Sequence, residues 1–136
     1  MSKKQKISLI VVVVVIALAA AIGILLTVYE RNQHRIEQTA IEAFDLTLAA
    51  DGTFTGECDA FPVIAKVEVT VKDHEITDIV LVKHMNGRGG NAETLPQKVV
   101  EAQSLLVDTV SGATYSSTVI LLAIEDALQN AAGGMM

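Results

Sequence analysis

Ten residues, Val63-Ile64-Ala65-Lys66-Val67-Glu68-Val69-Thr70-Val71-Lys72, alternate between apolar and mostly polar side chains. Successive side chains of a β-strand point to opposite faces of the sheet, so this alternation predicts a strand with one buried face. Asp73 and His74 follow as a short connection. The segment from Ile76 to Val82 is then predicted to be a second strand that pairs antiparallel with the first.

The patterns on either side of this strand pair predict an α+β fold. Thr53 to Glu57 is expected to be a short strand, and Pro96 fits the first turn of a short helix that continues to Ala102. Apolar residues at helical spacing between Val119 and Leu128 predict a final amphipathic helix. The glycine-rich segment from His84 to Leu95 is predicted to be a loop.

An uncharged run from Ile7 to Val28 precedes these elements. A helix of this length crosses a hydrocarbon core of about 30 Å and satisfies its own backbone polar groups in lipid. The competing interpretation is a cleaved secretory signal, because three lysines precede the run and small residues from Ala17 to Ala21 offer a cleavage site. An uncleaved transmembrane anchor is favoured, because apolar residues continue through Leu26.

The charges around the run predict its orientation. Lys3, Lys4 and Lys6 before it, against Arg31 and Arg35 after it, favour a cytoplasmic amino terminus and an extracytoplasmic domain. Removing those three lysines from the 10 basic residues leaves 7 against 16 acidic residues, a formal charge of −9 on the part after the run. That charge argues against nucleic acid as a partner.

Apolar residues also recur at helical intervals from Glu30 to about Leu48, which predicts an amphipathic helix continuing out of the membrane. The predicted organisation is a basic tail (1–6), a transmembrane anchor (7–28), a juxtamembrane helix or linker (29–50), a folded domain (51–130) and a flexible tail (131–136).

Cysteine and histidine side chains are few and scattered in this chain. Cys58 is the single cysteine, so no disulfide within the chain is possible, and a free thiol is expected. The three histidines, His34, His74 and His84, lack the spacing of a metal site, so no metal is predicted. Arg88 is a candidate for contact with a phosphate or the ring of a bound cofactor, and His84 for a hydrogen bond, although a solvated loop charge and a surface imidazole are the commoner roles.

Small hydroxyl residues crowd the stretch Asp108-Thr109-Val110-Ser111-Gly112-Ala113-Thr114-Tyr115-Ser116-Ser117, just before the final helix. Taken by itself, the stretch is most simply a loop that ends in a helix N-cap, since Ser and Thr oxygens accept bonds from the first free N–H groups. A helix start also stabilises a nearby phosphate by about 0.3 to 1 kcal/mol per interaction when exposed. The two interpretations are compatible.

The order Asp-x-x-Ser-Gly-Ala-Thr over residues 108–114 resembles the flavin-attachment signature of the FMN-binding domain family. That family includes the flavin-carrying subunits of sodium-pumping NADH:quinone reductases and related electron-transport complexes. The resemblance extends over residues 51–56, 67–72, 95–96 and 100–105. It implies covalent FMN on Thr114 through a phosphoester bond, installed by a separate flavin transferase that uses FAD and a divalent metal.

The resemblance also implies roles for the neighbours of Thr114. Ser111, Gly112 and Ala113 match the signature, and Ser111 is expected to donate a hydrogen bond to the phosphate. Asp108 is assigned to recognition by the transferase, because its charge would repel a bound phosphate. Tyr115 is the nearest aromatic ring for stacking against a flavin, unless it simply covers the last helix.

The function that this resemblance implies is a membrane-anchored, extracytoplasmic electron carrier or oxidoreductase component, with redox proteins as partners. The first alternative is a surface module that binds flavin or another ligand reversibly. The second is an accessory structural subunit that docks on a larger membrane redox complex through the small residues between Ala17 and Gly23 of its anchor.

Overall fold

The computed structural model describes residues 1–85 and 90–133. An apolar helix is followed by an antiparallel three-stranded sheet with further helices packed on it, which confirms the predicted α+β class. In chain order the elements are α1 (Lys3–Gln38), β1 (Gly52–Ala60), β2 (Val63–Lys72), β3 (Glu75–Met85), α2 (Leu95–Ala102) and α3 (Thr114–Gly133). Two short 3-10 helices, Leu46–Leu48 and Gly90–Thr94, lie between them.

The helix α1 is long and apolar enough to cross a membrane, and its side chains are exposed as far as Arg31. As predicted, the helix continues beyond the apolar run. The prediction that it extends to about Leu48 is wrong, because α1 ends at Gln38. The Thr39 hydroxyl donates to the Arg35 carbonyl at 2.6 Å, a local bond of the kind that competes with the continuation of a helix.

The residues that continue the helical spacing beyond Gln38 serve the core in another way. Ile41 and Phe44 lie in an irregular segment and pack, partly buried, against the hydrophobic core. Asp45 then accepts a hydrogen bond from the Thr47 N–H at 3.0 Å and so begins the Leu46–Leu48 turn. Their apolar spacing thus reflects burial from an irregular chain.

The sheet has the order β1-β2-β3, with both neighbouring pairs antiparallel as predicted. The alternating face of β2 is buried as expected; its buried residues are Val63, Ala65, Val67, Val69 and Val71. Asp73 and His74 have φ values of 52° and 62°, which is the left-handed pair that a two-residue type I′ hairpin requires. The predicted connection between β2 and β3 is therefore confirmed.

Both outer strands are longer than predicted. β1 pairs with β2 from Gly52, opposite Val71, to Ala60, opposite Val63, and β3 continues past Val82 to Met85. Pairing with the central strand extends these strands into residues that show no clear alternation of their own.

The helix α3 packs on β1 and β2 and runs antiparallel to β1. Near its start, the Tyr115 hydroxyl donates to the Ala60 carbonyl at 2.9 Å. Near its end, the Asn130 amide donates to the Thr55 carbonyl at 2.8 Å. Between them lies the buried Gly56, where a Cβ atom would collide with the α3 backbone. The start of α3 therefore lies at the end of the sheet that carries the β1–β2 turn.

The carboxyl-terminal part of α3 differs from the expectation of a flexible tail beginning at Ala131. The helix continues through Gly133, Ala131 is fully buried, and its carbonyl accepts a bond from the Ala50 N–H at 3.2 Å. Residues 134–136 lie outside the described part of the chain.

The short helix α2 begins as predicted, with Pro96 in its first turn and buried beside Leu95 and Val99. It packs against β3 and ends at Gln103, whose φ of 51° is left-handed. In the predicted glycine-rich loop before it, β3 takes up His84 and Met85, and Gly90–Thr94 forms a 3-10 helix. Residues 86–89 of that loop lie outside the described residues.

Side chains of α3, and Gln103 directly after α2, make hydrogen bonds to the outer edges of β1 and β3. Asp126 of α3 accepts a bond from the Glu57 N–H of β1 at 3.0 Å, one helical turn before the bond from Asn130 to β1. On the other edge, the Gln103 amide accepts from the Ile76 N–H and donates to the Ile76 carbonyl, both at 2.7 Å. Since exposed strand edges invite pairing with other chains, these bonds also protect the sheet.

Candidate functional site

The turn before α3 is built around Gly112. The Ala113 N–H donates to the Val110 carbonyl at 2.9 Å, which closes a four-residue turn with Ser111 and Gly112 at its centre. Gly112 has a φ of 78°, the value that a type II turn requires at its third residue and that favours glycine. A Cβ at Gly112 would meet no atom within 4 Å, so the outside of the turn is open.

Thr114 is the first residue of α3, and its side chain is exposed. The first helical hydrogen bond runs from the Ser117 N–H to the Ala113 carbonyl at 2.9 Å. The N–H groups of residues 114–116 precede that bond and have no acceptor within the helix. The expectation that a Ser or Thr oxygen takes the capping position is wrong, because the buried Ala113 occupies it and a methyl group accepts no hydrogen bond.

Ser117 has a role that the sequence analysis did not single out. Its side chain is fully buried, and its hydroxyl oxygen accepts a bond from the Val110 N–H at 3.0 Å. This contact fixes the Ser111-Gly112 turn to the first turn of α3. Its hydroxyl and its position in the motif were visible in the sequence, but its inward direction depends on where the helix begins.

Tyr115 is tied to the sheet by its bond to Ala60 and packs, partly buried, against the core. Burial raises the pKa of its hydroxyl, and the nearby positive charge of Arg35 opposes that rise. These contacts hold Tyr115 against the sheet and the core, while its roles in covering the last helix and in stacking against a flavin both stay predictions.

The remaining candidate residues lie around this turn or beyond it. Asp108 and Ser111 are both exposed, as recognition by another protein requires. His84 Nδ1 lies 3.3 Å from a carboxylate oxygen of Glu93, in the 3-10 helix that contacts α3. Arg88 lies outside the described residues. The structure therefore brings Ser111, Gly112, Ala113 and Thr114 together in one exposed turn, with Asp108 upstream.

Cys58 is partly buried in β1, and burial raises the pKa of its thiol. Cys58 is therefore a free thiol, as expected, and its neutral, half-covered form is a weak nucleophile. Among residues 1–85 and 90–133, no group of three or more His, Cys, Asp and Glu side chains is placed to hold a metal ion. The absence of a metal from the protein stays a prediction.

Comparison with known proteins assigns this part of the chain. The chain is 37% identical over 70 residues to the NADH:acrylate oxidoreductase of Vibrio harveyi, and the match covers 49% of this chain. It spans 7% of the length of that relative. Residues 64–129, which include nearly all of β2, the whole of β3 and α2, the Gly112 turn and most of α3, match the sequence model of the FMN-binding domain family. Residues 64–129 of this chain are thus identified as an FMN-binding domain.

Proposed function

We propose that this chain is a membrane-anchored, extracytoplasmic electron-transfer flavoprotein that carries FMN on Thr114 through a phosphoester bond. The observation that carries the proposal is the position of Thr114, an exposed hydroxyl at the first residue of α3 that closes the Ser-Gly-Ala-Thr run of an FMN-binding domain.

The residues around Thr114 fit a phosphate group. The first-turn N–H groups and the positive end of the α3 dipole favour a negative charge beside this hydroxyl. Gly112 leaves open space on the outside of the turn, and the exposed Ser111 hydroxyl is a further donor. When bound, FMN supplies the electron-transfer chemistry, while Thr114 holds it and the turn orients its phosphate.

The helix α1 supports the anchoring part of the proposal. Its length and composition suit a single membrane crossing, and three lysines before its apolar run favour a cytoplasmic amino terminus. The domain then lies outside the cytoplasm, where a dissociable cofactor would be lost by dilution. A covalent bond keeps the flavin at its site whatever the concentration outside.

The similarity to one segment of an NADH:acrylate oxidoreductase supports a redox role for the domain. Because this chain matches so small a share of that protein, we assign it the role of an electron carrier and not the reaction named for the relative. The proposed partners are a flavin transferase, which recognises Asp108 and the turn, and redox proteins that donate and accept electrons.

Replacing the attachment residue tests the proposal directly. The chain is co-expressed with a flavin transferase, and its intact mass and its in-gel flavin fluorescence are measured. The unaltered chain is expected to gain the mass of FMN less one water, and Thr114→Ala to gain nothing. The matched control is Thr109→Ala, another exposed threonine of the same segment, which is expected to keep the full label.

Other outcomes of the same experiment favour the alternatives. A Thr114→Ala chain that still carries the added mass would show that the attachment residue is wrong. Flavin that leaves on boiling in detergent would identify a reversible binding module. Unlabelled, colourless protein from cells with an active transferase would favour an accessory structural subunit.

A further inference from the structure

The β1–β2 turn, Phe61-Pro62, contacts α1 one turn after the end of its apolar run. α1 is exposed through Arg31, and burial by the domain begins at Asn32. The Asn32 side-chain amide donates to the Phe61 carbonyl at 2.9 Å, and Ile36 is buried one turn later. The domain therefore packs on the last turns of α1, and the Phe61-Pro62 turn lies close to the end of the apolar run.

The rise per residue of an α-helix gives the height of the Phe61-Pro62 turn above the hydrocarbon core of the membrane. The apolar run ends at Val28, and the four residues from there to Asn32 correspond to a rise of about 6 Å. The polar layer on each side of a bilayer is about 5 to 7 Å thick. Tyr29 lies at the start of this interval, where tyrosines are enriched in membrane proteins.

We propose that the Phe61-Pro62 turn lies in the headgroup layer of the membrane that α1 crosses. This inference rests on the anchoring proposed above and adds a second contact with lipid. The Phe61 side chain is 43% exposed and Met85, opposite Ile64 near the same end of the sheet, is 49% exposed. Transfer of an aromatic ring and a thioether from water to that layer is favourable.

The negative charge of the domain limits this contact to the Phe61-Pro62 turn, which is called the tip of the domain below. The part of the chain after the apolar run has 7 basic and 16 acidic residues, a formal charge of −9, so the domain surface is repelled from anionic lipid. Phe61 and Pro62 are uncharged, and the cationic Arg31 and Arg35 lie on the adjacent turns of α1. The domain is expected to touch the membrane through this tip and to remain in water elsewhere.

The contact would also orient the flavin site. Tyr115, next to Thr114, donates to the carbonyl of Ala60, the residue before Phe61. A tip held in the headgroup layer therefore turns the start of α3 toward the lipid surface. A redox partner within the same membrane then meets the Thr114 end of the domain first.

The lack of tryptophan in the natural sequence allows a sharp test. Single tryptophans are introduced as Phe61→Trp, Met85→Trp, Leu48→Trp and Val14→Trp in the full chain. The protein is made without a transferase, so that no flavin absorbs the emission, and is reconstituted in phosphatidylcholine vesicles. Lipids brominated close to the headgroup or deep in the acyl chain quench tryptophan in lipid, whereas acrylamide quenches tryptophan in water.

Leu48→Trp is the matched control, because Leu48 is 54% exposed and lies near the start of β1, at the opposite end of the sheet. Phe61→Trp is expected to be quenched at least about twofold more than Leu48→Trp by the shallow bromines, with Met85→Trp between them. The emission of Phe61→Trp should also shift to shorter wavelength on reconstitution. Met85→Trp decides the question if Phe61→Trp fails to fold.

Equal bromine quenching of Phe61→Trp and Leu48→Trp, with equal access to acrylamide, would overturn the proposal. Val14→Trp separates this failure from a failure of the anchor, because a membrane-spanning α1 places it among the deep bromines. If Val14→Trp is not quenched there, the anchor and the headgroup contact are both wrong. FMN attachment to Thr114 is untouched by either result, since it is measured in a separate experiment.

Discussion

Gly56 leaves no room for a side chain between β1 and α3. A Cβ at this position would lie 2.8 Å from the Ala127 Cβ and collide with backbone atoms of Ala123 and Ala127. Because both neighbours belong to a packed helix, they cannot move aside separately. Gly56→Ala is expected to lower the free energy of unfolding by about 1 to 3 kcal/mol or more, measured by urea unfolding of the detergent-solubilised chain.

Gly133 provides the control for Gly56. It ends α3, and a methyl group added there would meet no atom within 4 Å, so Gly133→Ala should leave the urea midpoint nearly unchanged. An equal midpoint for the two variants would contradict the close packing of α3 on β1.

Cys58 is expected to react slowly with alkylating reagents in the folded chain. Burial raises the pKa of Cys58, and the thiolate is the reactive form of the side chain. Iodoacetamide should therefore label the folded chain more slowly than the chain in urea. The labelling rate of the folded chain should keep rising above the ordinary thiol pKa of about 8.5. A folded pKa above the unfolded value means that stability from the neutral thiol is lost as pH rises through the folded pKa. Equal labelling rates in buffer and urea would contradict this.

At the level of secondary structure, the Gln103 side chain takes the place of a neighbouring strand by hydrogen bonding to the outer edge of β3. Its amide makes both hydrogen bonds to Ile76, a residue that is 2% exposed. Gln103→Ala would leave two partly buried backbone groups without these partners, and we expect a loss of about 1 to 3 kcal/mol of unfolding free energy. The change should also accelerate hydrogen exchange of the Ile76 amide.

Gln129→Ala is the comparison for Gln103→Ala, because Gln129 bonds to the neighbouring Glu125 on an exposed part of α3. That variant should unfold at nearly the same urea concentration as the unaltered chain. Unchanged exchange of the Ile76 amide in Gln103→Ala would show that the side chain does not hold the edge of β3.

The elements that could be predicted from the sequence are those specified by neighbouring residues. The ten-residue alternation of β2, its short connection to β3 and Pro96 at the start of α2 each depend on local chemistry. The full length of β1 and the end of α1 could not be predicted in this way. β1 is extended by pairing with β2, and Ile41 and Phe44 keep a helical spacing while packing from an irregular segment.

In the candidate site too, features set by neighbouring residues could be predicted from the sequence, and features that depend on packing could not. The exposed turn that holds Ser111 to Thr114 just before a helix follows from small residues and a glycine in order. The buried contact of Ser117 with Val110 and the bond from Tyr115 to Ala60 join residues whose meeting depends on how α3 packs. Roles in flavin attachment remain predictions for all of them.

For the whole molecule, the segment between the apolar run and β1 is part of the folded domain. Ile36 and Ala49 are 3% and 0% exposed, so a chain beginning at Asp51 loses both from the core. We expect it to be less stable than a chain beginning at Tyr29 by at least about 1.5 to 3 kcal/mol, the contribution of one buried aliphatic side chain. Urea unfolding of the two shortened chains measures the difference.

Point substitutions in the chain that begins at Tyr29 separate this packing from the effect of length. Ile36→Ala should lower the urea midpoint, whereas His34→Ala, at an exposed position of the same helix, should not. Equal stability of the two shortened chains would mean that α1 contributes nothing to the domain.

The uninterrupted course of α1 from Lys3 to Gln38, with Asn32 and Ile36 held by the domain, has a mechanical consequence. A flexible linker would let the domain move over a wide area of the membrane surface and approach partners in many orientations. A straight helix held by the domain allows little such motion. If α1 crosses a membrane as proposed, the domain and a redox partner in the same membrane would meet by lateral diffusion in the lipid. Partners should then be matched to one fixed height and one facing direction.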